Sequence, residues 1–110
     1  MLFEYDKIPE TVIPNFKGGE KEAIAKMYSD GLNRIMLGRL KPGASIGLHT
    51  HETNSEIVYI ISGRGIVIID GETEELYPGI CHYCPKGHTH TMINNREDED
   101  LVIFAVVPEQ

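Results

Sequence analysis

Residues 43–63 read Gly43-Ala44-Ser45-Ile46-Gly47-Leu48-His49-Thr50-His51-Glu52-Thr53-Asn54-Ser55-Glu56-Ile57-Val58-Tyr59-Ile60-Ile61-Ser62-Gly63. His49 and His51 stand at i and i+2, which on a strand puts both imidazoles on one face. Glu56 follows after the polar stretch 52–55 and heads an apolar, β-branched run. If 52–55 is a turn, its carboxylate comes back beside the two histidines. His90 lies 39 residues after His51 and opens another apolar segment behind the turn Pro85-Lys86-Gly87. Three imidazoles and one carboxylate converging inside a barrel form a divalent-metal site. Imidazole suits Zn, Fe, Ni and Cu, and the carboxylate makes Mn or Fe equally acceptable. Taken singly, each residue is ordinary: a lone histidine is more often a surface or hydrogen-bonded group than a ligand, and a lone glutamate before a strand is usually solvated.

The rest of the chain agrees with many short strands. Ile occurs 14 times and Val 6 times, and Gly and Pro supply 17 turn-makers. Short apolar runs bounded by turn signals predict strands over 33–40, 56–62, 66–69, 74–77, 80–84, 89–93 and 101–107. Asp70-Gly71 is a hairpin signal. Residues 22–28 fit a strand or a short helix. Residues 1–15, broken by Pro9 and Pro14, read as an extended N-terminal arm, and residues 94–100 as a solvated, acidic hairpin tip. The pattern predicts one all-β domain over residues 1–110, about ten strands closed on themselves to hide their edges.

Composition narrows the partners. Ten Lys and Arg against 17 Asp and Glu give a formal charge of −7. That argues against nucleic acid or an anionic membrane, both of which need clustered positive charge. No apolar run approaches a bilayer span, and the N-terminus lacks the basic flank and apolar core of a signal peptide. The expected location is the cytoplasm. Cys81 and Cys84 form a C-x-x-C, but on a strand positions i and i+3 face opposite ways, so two separate thiols are expected.

The spacing resembles the cupins. Their first motif, G-x5-H-x-H-x3-4-E-x6-G, is matched by Gly43, His49, His51, Glu56 and Gly63. Their second, G-x5-P-x-G-x2-H-x3-N, is matched by Gly79, Pro85, Gly87, His90 and Asn94. Many relatives carry an acidic residue after the first glycine of the second motif, where this chain has Ile80. The resemblance implies a double-stranded β-helix, the cupin jelly-roll barrel, with one divalent metal (Mn, Fe, Ni, Zn or Cu) held inside by His49, His51, Glu56 and His90. It implies turns at Gly43, Gly63, Gly79 and Gly87, and an Asn94 that ties its loop rather than touching metal.

Four protein ligands leave two open positions on a six-coordinate ion, room for a small oxygen-bearing substrate or for substrate and O₂. By strand parity Met36, Leu48, Val58, Ile60 and Met92 are candidates for the cavity wall. Arg34, Arg39, Tyr28, Tyr59 and Tyr83 are candidates to orient an anion, with at most one of the two arginines facing inward. His88, two residues before His90, either stands near the metal as a base or is thrown outward by the turn. His82 is expected to face away from the cavity or into solvent. The leading functional expectation is a metalloenzyme of dioxygenase, decarboxylase/lyase or isomerase type acting on a small organic acid or carbonyl compound. The alternative is a non-catalytic module that binds or senses a small metabolite through the same metal. A purely scaffolding role would have no use for four intact ligands. A homodimer is expected, with the N-terminal arm pairing to a partner's sheet edge.

Overall fold

The computed structural model describes residues 1–110. Ten strands run in order: β1 Thr11–Pro14, β2 Glu22–Ser29, β3 Asn33–Leu40, β4 Ser45–Thr50, β5 Glu56–Ser62, β6 Gly65–Ile69, β7 Glu72–Leu76, β8 Cys81–Cys84, β9 Thr89–Ile93 and β10 Leu101–Pro108. Two single 3-10 turns, Tyr5–Lys7 and Phe16–Gly18, are the only helical pieces. None is long and apolar enough to cross a membrane. The strands form a six-stranded sheet in the order β1-β2-β3-β10-β5-β8 and a four-stranded sheet in the order β4-β9-β6-β7. Every strand pair is antiparallel.

Period-2 alternation builds the core. In β10, Leu101, Ile103, Ala105 and Val107 face inward, and in β5 Glu56, Val58 and Ile60 do so. Met36 and Leu40 join them from β3, and Ile46, Val67, Leu76 and Met92 close the core from the second sheet. Each of these leucine, isoleucine, valine and methionine side chains contributes roughly 1.5–3 kcal/mol on full burial. The β6–β7 hairpin turns on Asp70 and Gly71 at φ 49° and 82°. Two positive φ values in a row are what a type I′ turn needs, hence the Asp-Gly pair.

Several sequence expectations change. Residues 22–28 belong to a strand, held on both sides by β1 and β3. Residues 1–15 are not wholly an extended arm. They contain a 3-10 turn, and β1 folds back on the chain's own β2, Thr11 opposite Ala25. Residues 94–100 are no hairpin tip, because β9 and β10 lie in different sheets and the segment crosses between them. Asn94 anchors that crossing as expected: its side-chain NH₂ donates to the Leu40 and Glu99 carbonyls, both at 2.9 Å, and its oxygen accepts from the Arg96 N–H.

Leu48 is 66% exposed rather than on the cavity wall. Ile46 pairs with Met92 but His49 pairs with His90, so β4 carries one residue more than β9 across this stretch. That bulge breaks the parity count and sends Leu48 out while both Ile46 and His49 point in. Gly47 sits in the bulge because nothing larger fits: a Cβ there would lie 2.1 Å from the Lys17 carbonyl oxygen and 2.8 Å from the Gly19 nitrogen.

Candidate metal centre

Backbone pairing brings the two histidine-bearing segments together. His49 stands opposite His90 across β4 and β9. Beyond the end of β4, the His51 N–H donates to the His88 carbonyl at 3.0 Å, and the Gly87 N–H donates to the His51 carbonyl at 2.7 Å. Residues 52–55 then cross to the other sheet, and Glu56 enters at the head of β5. Three imidazoles come from the four-stranded side and the carboxylate from the six-stranded side.

The resulting cluster is tight. His49 Nε2 lies 3.2 Å from His51 Nε2, and His90 Nε2 lies 3.0 and 3.1 Å from those of His51 and His49. Glu56 Oε1 lies 2.9 Å from His90 Nε2 and 3.2 Å from His51 Nε2. All four ligand atoms fall within 4.8 Å of one another.

The far ring nitrogens define what faces the centre. His49 Nδ1 donates to the Gly47 carbonyl at 2.7 Å. His51 Nδ1 donates to Asn54 Oδ1 at 2.5 Å, and the Asn54 NH₂ is spent on Glu109 Oε1 at 3.0 Å, which fixes the amide orientation. Both partners are oxygens that only accept, so each neutral ring turns a bare Nε2 lone pair inward. Lone pairs 3.2 Å apart beside a carboxylate repel unless a cation sits among them. Nitrogen and oxygen donors bind Zn²⁺ at about 2.0–2.2 Å, so two of them at right angles about one ion are about 3.0 Å apart. The donor set and its spacing therefore fit one divalent ion.

Where no cation sits among them, protons take its place on the inward nitrogens. With no ion bound and His51 and His90 protonated on Nε2, burial pushes the Glu56 carboxyl up, but hydrogen bonds from both rings outweigh it and hold it down at about 2. Burial lowers the pKa of His49. The Glu56 hydrogen bond raises that of His51.

A cavity of about 260 Å³ opens over the cluster. Met36 and Ile46 supply apolar wall, while Lys17, Arg34 and Glu52 supply charge. Val58, Ile60 and Met92, expected on this wall, are packed into the core instead. Parity divides the two arginines as expected. Arg34 lines the cavity, whereas Arg39 faces out to Glu10 at 3.1 Å and Asp100 at 2.8 Å. The three tyrosines lie elsewhere: Tyr59 and Tyr83 are exposed, and Tyr28 packs against Phe3.

His88 lies just before β9, at the end of the turn, 46% exposed. Its Nδ1 is hydrogen-bonded to Asp70 Oδ2, and its ring makes no hydrogen bond to the cluster. The expectation for His82 is overturned. It is 6% exposed and its Nε2 lies 2.9 Å from His90 Nδ1. It shares an inward face of β8 with Cys84 and pairs in register with the buried Val58. Its i, i+2 parity with Cys84 was the signal available in the sequence. Cys81 faces the opposite way, so both thiols are free, and burial pushes that of Cys84 up to about 11.

The family model described as the cupin domain matches residues 36–107. The chain belongs to the cupin family. It is 30% identical to the oxalate-binding protein of Thermotoga maritima, over 97% of this chain and 93% of that one. It is 27% identical to the tetracenomycin polyketide synthase protein TcmJ of Streptomyces glaucescens, over 89% of this chain and 68% of that one. Among solved structures, a predicted oxalate decarboxylase from Thermotoga maritima superposes with a TM-score of 0.92 at 28% identity, each chain fully covered. The polyketide cyclase RemF from Streptomyces resistomycificus shares the fold at a TM-score of 0.81 and 20% identity, over 98% of this chain and 78% of that one.

Proposed function

We propose that this protein binds a small carboxylate, of the size of oxalate, through one divalent metal ion held by His49, His51, Glu56 and His90. The observation that carries the reading is the cavity directly over the cluster. It is smaller than the roughly 300–1,000 Å³ typical of ligand pockets, and Arg34 on its wall takes part in no ion pair. The bound ion supplies a Lewis acid for carboxylate oxygens. Arg34 adds a planar fork of donors that matches a second carboxylate group, and Lys17 adds a point charge. Met36 and Ile46 limit the length of what fits. The oxalate-binding relative supports the ligand class.

Turnover is the second reading. It is favoured by the near-complete superposition on a predicted oxalate decarboxylase and by Glu52 and Lys17, two ionisable groups on the cavity wall. Dioxygenase, other lyase and isomerase chemistries remain compatible with the same ligand set. A homodimer in the cytoplasm completes the reading. Its support is the apolar outer face of the six-stranded sheet, where Ile57, Tyr59, Ile61 and Tyr83 stand exposed side by side.

The test is calorimetric titration of oxalate into manganese-loaded protein, followed by product analysis. Saturable binding weakened roughly 10–100-fold by Arg34→Gln supports the assignment, that being the worth of a hydrogen bond to a charged group. Oxalate recovered intact identifies a binding module, whereas conversion of hydrogen oxalate to formate and CO₂ identifies a decarboxylase. No binding of oxalate by the metal-loaded protein overturns the ligand class.

A further inference from the structure

We infer that His82 is a positioning residue for the metal centre, one that holds His90 in the tautomer able to bind the ion. The inference rests on the metal-binding reading and extends it to a residue at a variable position of the second cupin motif, between Gly79 and Pro85. The three histidines of the cluster each turn Nε2 to the centre and Nδ1 away from it, and the partners of Nδ1 differ. For His49 it is the Gly47 carbonyl and for His51 the Asn54 amide oxygen. Both are obligate acceptors that by themselves dictate a hydrogen on Nδ1. For His90 the partner is the Nε2 of His82, a ring nitrogen that can accept or donate. The ligand tautomer of His90 is therefore shared between two rings. His90 presents a bare Nε2 only when its Nδ1–H donates to a bare Nε2 on His82, which places the hydrogen of His82 on its own Nδ1.

The geometry is built for this bond. The N···N distance is 2.9 Å and the ring planes differ by 25°. The centroids are 5.2 Å apart, as expected for two nearly coplanar rings joined edge to edge rather than stacked. Both rings are buried, His90 at 1% and His82 at 6%, so neither readily exchanges its partner for water. The bond also spans the molecule: His82 stands on β8 of the six-stranded sheet and His90 on β9 of the four-stranded one. It ties the metal face of one sheet to the other, alongside Glu56.

Removing the acceptor leaves the His90 Nδ1–H buried without a partner and its tautomer free. Groups in this position typically change metal affinity 10–100-fold. The experiment has two parts. Nitrogen-15 NMR of the zinc-loaded wild-type protein should show the hydrogens of both His82 and His90 on Nδ1. Zinc competition titrations should show His82→Leu binding roughly 10–100-fold more weakly, and His82→Gln, whose Oε1 replaces Nε2 as acceptor, within about threefold of wild type. A His82 protonated on Nε2 in the zinc form, or a folded His82→Leu that binds zinc as wild type does, overturns the inference. Should His82→Leu fail to fold, the wild-type tautomers and His82→Gln still decide it. Wild-type protein that takes up no zinc defeats the metal reading itself, a different failure from unaltered affinity in the variants.

Discussion

His88 and His90 are two residues apart, yet the fold gives them opposite surroundings. His90 is buried against His49, His51, Glu56 and His82, its lone pair aimed at three other donors. His88 is half exposed on the rim, hydrogen-bonded to Asp70 at the β6–β7 turn. The side-chain chemistry is the same. The difference is the start of β9 at Thr89: His88 still belongs to the turn and escapes the alternation that carries His90 inward. An imidazole joins the cluster here through what orients its far nitrogen and what excludes water, and His88 has neither an enclosed site nor converging donors.

The largest expected effect that sharpens this contrast is removal of the metal. Ion present at a thousandfold over its Kd adds about 4 kcal/mol to folding. For a chain of this length, stripping it should lower Tm by something on the order of 10–20 °C, and His88→Ala should leave that difference unchanged. Acid should do the same as a chelator. Ligation needs neutral imidazole, so the metal should leave as pH falls below roughly 6. Glu56 is not the group that yields there. Its folded-state pKa of about 2 lies below its ordinary value. Its stabilising contribution is thus present above about pH 4.5 and lost as pH falls through 2. Metal-free protein followed by circular dichroism should show that second, lower acid transition, and Glu56→Gln should lack this component.

A smaller effect is expected at the bulge. Gly47→Ala forces a methyl against the Lys17 carbonyl and should cost about 1–3 kcal/mol in urea unfolding, because that backbone cannot simply step aside. It should also weaken metal binding, since the Gly47 carbonyl orients His49. The smallest effect belongs to its neighbour: Leu48→Ser, on an exposed side chain, should stay within about 0.5 kcal/mol. A core-sized loss at Leu48 would mean that the parity break is misplaced.

The four-residue cluster was legible in the sequence because local spacing encodes it: i, i+2 on one strand, a short turn to Glu56, and a Pro-Gly turn before His90. The all-β architecture was legible for the same reason. What escaped depends on non-local pairing. Counting parity through β4 assumes a regular strand, and the extra residue at the bulge turned Leu48 outward. The partner of β1 is the chain's own β2, which the sequence of the arm does not specify. The destination of residues 94–100 depended on which sheet receives β10. His82 was missed because a lone histidine is ordinarily a surface group. Only the pairing of β8 with β5 places it opposite Val58 and against His90.

The most direct test of the central claim is metal content by mass spectrometry on protein purified without added metal bias. It should be run beside the His51→Ala, His90→Ala double variant and His88→Ala. About one Mn, Fe, Ni, Zn or Cu per chain is expected in the wild type and in His88→Ala, and almost none in the double variant. Protein that holds no metal under any loading condition, or a double variant that keeps it, would contradict the claim.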